Sequence, residues 1–495
     1  MQRWIFMMQM FFRDGLIRGF GIAETTENGA PAAISHRQQN CCLIEYYNRI
    51  MSLSSSARKM VTCWCLAVAS SALVFGQTVN PLGSEYAIVG ALPGDQTFPD
   101  AAINANGGYL VWEDNSVTTR GVRIRGQALG ADLQGANSSF VVSAMWKSVA
   151  AGDQRHPRVG LLQNGGAVIA WQGGGKPSEC VYARFVRANG TFQTGDMRVS
   201  TQRKYDLSDP CVVVLADGSV VIAWSSFGQD GSMQGIFARR FSATGAALGP
   251  EFQVNQTTAN NQRSPAIAAL SGGGFVIAWV SELQKTIASV DIYATVFSSE
   301  GVPLTSEIPI NTTTNNLCAN PTVAGSSLGG FAVAWSQNQD QVLTAGNASG
   351  VIISGVPTFQ SADNWDVLAR IFDGAGTAST DPFRLNQYTY GDQFGPRLAS
   401  TGPGYMASWT SLSQTNSLGQ VDPFEGVYGQ FITGAGLLGG TNDIHVNTTV
   451  FGRQLQPAVA ADGAGRFLVM WSSVVPAVGR FDADVFGQIY QQSTP

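Results

Sequence analysis

"SGGGFVIAWV" (271–280) sets a glycine cluster, an apolar run and a tryptophan in quick succession. "NGGAVIAW" (164–171) and "LGGFAVAW" (328–335) repeat the phrase. Working outward from these three, the tryptophan recurs at Trp112, Trp171, Trp224, Trp279, Trp335, Trp409 and Trp471. Each follows a proline by 13 or 14 residues (Pro99, Pro157, Pro210, Pro265, Pro321, Pro396, Pro457) and a glycine by five or six. Successive tryptophans are 53 to 74 residues apart, a spacing that marks an internal repeat.

The remainder of the unit emerges on stacking the copies. A short apolar run follows each proline, as in "PCVVVL" (210–215) and "PAIAAL" (265–270). A glycine turn leads into the tryptophan strand. A third run follows a variable loop: "CVYARFV" (180–186), "GIFARRF" (235–241), "DIYATVF" (291–297), "DVLARIF" (366–372), "GVYGQFI" (426–432) and "DVFGQIY" (484–490). After a second glycine turn comes a fourth: "FQVN" (252–255), "IPIN" (308–311), "FRLN" (383–386) or "IHVN" (444–447). Each unit thus reads as four short antiparallel strands. The tryptophan strands are continuously apolar rather than alternating, so both faces of every sheet need cover. Sheets that lean on one another around an axis supply it. The expected fold is all-β, a seven-bladed β-propeller with four antiparallel strands per blade. The last copy stops after its third strand, and "EYAIVG" (85–90) reads as a lone fourth strand. The N-terminal strand is therefore expected to close the last blade.

"SFGQDGSMQGIFARRFSATGAALGPEFQVNQTT" (226–258) resembles blade-length repeats of bacterial secreted and cell-surface proteins. The resemblance spans residues 85–495 and implies an extracellular propeller, without implying an activity. No integrin-type "DxDxDG" calcium loop and no sialidase-type "SxDxGxTW" box occurs.

Charged residues make up 13% of the 495, against roughly 25% in an average soluble domain. The net charge is −5 and the lysines are scattered, so no nucleic-acid footprint is present. Of seven cysteines, four precede residue 66, and Cys180, Cys211 and Cys318 are too few and too scattered for a zinc motif or a disulfide framework. With three histidines in all, no metal site is expected, nor any cofactor. "ARKMVTCWCLAVASSALVFGQ" (57–77) reads as a secretory signal, its apolar stretch too short for a comfortable membrane span. Residues 1–50 are then expected to be a non-structural upstream extension, with translation starting at Met51 or Met60. The alternative is an uncleaved extension. The division is 51–76 signal, 77–84 linker and 85–495 propeller, giving a secreted or surface monomer with no membrane span in the mature chain.

Function is less legible. Gln96, Gln154, Gln262, Gln393 and Gln454 each stand three residues before a repeat proline, in loops on one face. A ring of amides suits sugar hydroxyls or a peptide, or else hydrogen bonds between blades. The insertion 336–365 offers Asp340 and Trp365 as a pocket wall, and the loop 411–426 offers Asp422 and Glu425. The leading expectation is a binding or adhesion module presenting this loop-rich face to a glycan or protein, with no catalytic residue assigned. The alternatives are a glycoside hydrolase or lyase acting on polysaccharide, and a structural envelope protein.

Overall fold

Each copy of the repeat folds into one antiparallel set of strands. The computed structural model describes residues 79–493 apart from 91, 117–120, 144–151, 175–178, 314–315, 339–364, 403, 413, 415–422 and 478–479. Among the described residues the regular elements are all strands. They run β1 (Val79–Ala87), β2 (Gln96–Asn104), β3 (Gly107–Asp114), β4 (Arg123–Leu129), β5 (Phe140–Val141), β6 (Gln154–Leu161), β7 (Ala167–Gly173), β8 (Cys180–Val186), β9 (Met197–Arg198), β10 (Leu207–Val214), β11 (Val220–Phe227), β12 (Gln234–Phe241), β13 (Phe252–Gln253) and β14 (Gln262–Ala269). There follow β15 (Phe275–Glu282), β16 (Val290–Phe297), β17 (Ile308–Pro309), β18 (Leu317–Gly325), β19 (Phe331–Asn338), β20 (Trp365–Phe372), β21 (Phe383–Arg384), β22 (Gln393–Thr401), β23 (Gly404–Leu412), β24 (Glu425–Ile432), β25 (Ile444–His445), β26 (Arg453–Ala461), β27 (Arg466–Ala477) and β28 (Arg480–Gln492).

Strands β2–β5, β6–β9, β10–β13 and β22–β25 form four-stranded sheets in chain order. Strands β14–β17 and β18–β21 form two antiparallel sets joined by a single parallel pair, Val290 with Leu317. The remaining sheet is β26–β27–β28, completed by β1. β1 pairs from Val79 with Gln492 to Ala87 with Phe486. The strand therefore begins inside the segment 77–84 read as linker. Pro81 and Gly83 suggest a loop, but an outer edge strand tolerates a proline, and the register shift between Leu82 and Tyr86 absorbs the glycine.

The core lies between sheets. All seven repeat tryptophans are buried. Cys211, Ala223 and Ile236 of one sheet pack on Ile277, Trp279 and Tyr293 of the next. In the same way Ala458, Leu468, Met470 and Val485 of the last sheet pack on Ile103, Leu110 and Trp112 of the first. The first strands are neighbours around a closed circuit, β2 beside β6, then β10, β14, β18, β22 and β26, which returns to β2. This is a β-propeller arrangement, with the first strand of each set nearest the axis.

The repeat proline is explained by a bulge. Every first strand shifts register there, between Thr97 and Asp100, Arg155 and Arg158, Ser208 and Cys211, Arg263 and Ala266, Ala319 and Thr322, Phe394 and Arg397, and Leu455 and Ala458. Proline has no N–H to lose to the ladder, so a bulge accepts it. The residue before it is left-handed in every copy: Phe98 (φ 52°), His156 (53°), Asp209 (52°), Ser264 (55°), Asn320 (52°), Gly395 (65°) and Gln456 (56°). That turn aims its N–H at the preceding sheet, at the residue after the tryptophan. His156 N–H donates to Glu113 Oε1 (2.7 Å), Asp209 to Gln172 Oε1 (3.3 Å), Ser264 to Ser225 Oγ (3.1 Å) and Gly395 to Ser336 Oγ (2.9 Å). Phe98 N–H donates to Ser472 Oγ of the last sheet (3.2 Å), which closes the circuit.

Candidate functional site

The loop glutamines turn inward. Gln96, Gln154, Gln262, Gln393 and Gln454 are fully buried. Gln154 and Gln454 accept from the indole N–H of Trp171 and Trp471 at 2.7 and 2.8 Å. Gln96 donates to the carbonyls of Pro93 and Gly94. Gln262 donates to Ala259 O and accepts from Asn255, and Gln393 donates to Tyr390 O and accepts from Asn386. These amides hold the turn and the tryptophan strand, and none is offered to solvent. Glu425 is likewise buried, paired through both carboxylate oxygens with Arg453 of the neighbouring sheet. Trp365 opens β20, partly buried against the core shared with β14–β16. Asp340 and Asp422 lie outside the described residues. The Arg184, Arg239 and Arg370 column bridges sheets: each Nη1 donates to a carbonyl of the preceding sheet (Val142, Val199, Ile310) and each Nε to its own turn.

Two other groups of residues remain available. The first is a set of exposed aromatic side chains at the end where the first strands begin. Phe227 ends β11, Tyr390 lies between β21 and β22, Phe424 precedes β24, and Phe451 lies between β25 and β26. They are 54%, 66%, 45% and 60% exposed. The last three surround one sheet, β22–β25.

The second group lies at the bulges, beside the axis. Glu113 is buried, and burial pushes its carboxyl up to about 7, against the lowering effect of the His156 N–H it accepts. Burial lowers the His156 imidazole, opposed by the Asp209 carboxylate. Its ring meets Phe98 edge-on at 5.2 Å, and its Nδ1 is buried with no partner among the described residues. One step past the proline stand Asp100, Arg158 and Arg397. Asp100 Oδ2 accepts from Val159 N–H of the next sheet (2.8 Å), and burial raises its carboxyl despite both arginines. Thr322 makes the equivalent bond to Leu398 N–H (3.2 Å), so the first strands run side by side at one height. Among the described residues no group of three or more His, Cys, Asp or Glu side chains is placed to hold a metal ion.

Sequence reasoning passed over Asp100, Arg158 and Arg397. The signal was present: the same column elsewhere holds Cys211, Ala266, Thr322 and Ala458, so a charge there breaks an otherwise uncharged pattern.

No protein-family model matches the chain, and no curated protein sequence does. Solved structures show loose likenesses. A protein of unknown function from Dyadobacter fermentans has 10% identity and a TM-score of 0.46, covering 84% of this chain and 99% of its own. An α-L-arabinanase of Penicillium chrysogenum, complexed with arabinobiose, has 14% identity and a TM-score of 0.45, covering 67% and 92%. An ulvan lyase of polysaccharide lyase family PL25 has 9% identity and a TM-score of 0.46, covering 78% and 93%.

Proposed function

We propose that the chain is a seven-bladed β-propeller that takes a polysaccharide on the face where its first strands begin. The blade count is supported by the seven proline–tryptophan copies and by the circuit of first strands, with β14–β17 and β18–β21 counted as two blades because one residue pair is all that joins them. The reading of the face is carried by Phe227, Tyr390, Phe424 and Phe451. Large aromatic rings left in water on one end of a scaffold are stacking platforms for the apolar faces of sugar rings. The signal-like sequence 51–76 supports an encounter outside the cell.

A second reading, cleavage of the bound glycan, is favoured by one observation. Burial pushes the Glu113 carboxyl up to about 7, in the range of a general acid, and holds it on the backbone N–H of His156, whose imidazole burial lowers. Binding and turnover are measured together on a panel of neutral and acidic polysaccharides. Tyr390→Ala, Phe424→Ala and Phe451→Ala combined are expected to weaken binding at least tenfold with an unchanged unfolding midpoint. Unchanged binding would refute the face. If cleavage occurs, Glu113→Gln removes it and leaves binding intact; cleavage that survives this change refutes the second reading.

A further inference from the structure

Strands β6 and β22 are separated in the circuit by β2 and β26 on one side and by β10, β14 and β18 on the other. Even so, Arg158 on β6 and Arg397 on β22 sense each other's charge. Both stand one residue past the bulge proline, in the column whose Asp100 and Thr322 side chains reach an N–H of the neighbouring first strand. They are held alike: each Nη1 donates to the carbonyl of the proline before it, at 3.0 Å in both cases. Both side chains are partly exposed, and among the described residues neither guanidinium has a carboxylate oxygen within 4.0 Å. Asp100 is the acid nearest in the same column, and its Oδ2 is occupied by Val159 N–H. Burial and the neighbouring Arg158 charge lower Arg397 to about 10, against the raising effect of Asp100.

Two like charges facing one partly hydrated space repel, and the Asp100 carboxylate that both of them feel offsets less on Arg397 than Arg158 imposes. A guanidinium also presents a planar fork of donors that matches the oxygens of an oxyanion. We propose that the bulges around the axis form an oxyanion site, in which Arg158 and Arg397 clasp a carboxylate, sulfate or phosphate group. The group is either a pendant of a glycan chain or a free inorganic ion. The site stands apart from the exposed aromatics, and sulfate held after their replacement would still support it.

Thermal unfolding and calorimetric titration of the full chain test this with sodium sulfate, sodium phosphate and sodium glucuronate, against sodium chloride at equal ionic strength. A saturable rise in midpoint with an oxyanion and none with chloride is expected. Arg397→Met and Arg158→Met should each weaken that binding about tenfold or more. With no ion added, Arg397→Met should fold at least as stably as the natural chain, since it relieves the repulsion. Glucuronate binding without sulfate or phosphate binding assigns the site to a sugar acid; sulfate or phosphate binding alone assigns a free ion. No response to any oxyanion, or an equal response in both variants, overturns the proposal.

Discussion

The buried tryptophans carry the repeat at the residue scale. Each lies between two sheets and contributes a large apolar area to both. Trp279→Ala is expected to cost about 3–5 kcal/mol, measured by denaturant unfolding, because its site in the continuous strand β15 cannot collapse. Gln454→Ala strips the acceptor from the buried Trp471 N–H and should cost about 1–3 kcal/mol without altering glycan affinity. A loss of glycan affinity without loss of stability would return the glutamines to the binding surface. Glu113 has a signature in pH. Its folded value of about 7 lies above the ordinary carboxylate range, so between about 4.5 and 7 the unfolded chain sheds a proton that the folded chain keeps. Its contribution is full below that window and is lost as pH rises through it, up to about 3 kcal/mol by linkage. Glu113→Gln keeps the acceptor for His156 N–H and should flatten that slope in midpoints recorded against pH.

At the scale of the element, the glycine turns and the bulges obey different constraints. Gly330 is left-handed (φ 85°), and a Cβ there would sit 2.3 Å from Phe372 O. Gly395 is also left-handed (φ 65°), but nothing lies within 4 Å of its Cβ position. Gly395→Ala should therefore cost about 1 kcal/mol, the backbone preference alone, while Gly330→Ala costs about 3 kcal/mol, read from unfolding curves. The six other copies carry side chains at the Gly395 position, and all are left-handed there. Strand order and the tryptophan positions were legible because period and turn chemistry fix them locally. The bulge was not, since a proline in an apolar run signals a strand start equally well. Without the bulge, the direction of Arg158 and Arg397 cannot be read. For the glutamines the sequence left a ligand-binding ring and hydrogen bonds between blades both open, because the tryptophan N–H that Gln154 and Gln454 serve is 17 residues away in the chain.

Across the whole molecule, carboxylates latch one sheet to the next. Glu251 accepts from Thr201 N–H, Glu307 from Gln256 and Thr257, and Asp443 from Gln387 and Tyr388. Glu85 of β1 accepts from Thr448 and Thr449 N–H in the same way, so the strand that completes the last sheet also grips the turn before it. The β1–β28 pairing ties the two ends of the described chain into one sheet. It is tested most directly by Asn80→Cys with Gln491→Cys, two positions that face each other across β1 and β28. Antiparallel partners stand about 4.5–5.5 Å apart at Cα, within reach of a disulfide. Under mild oxidation the full chain should yield a proteolytic peptide linking residue 80 to residue 491, visible by mass spectrometry and lost on reduction. Free thiols at both positions in the folded protein would mean that β1 does not pair with β28, and would contradict the joining of the two ends in one sheet.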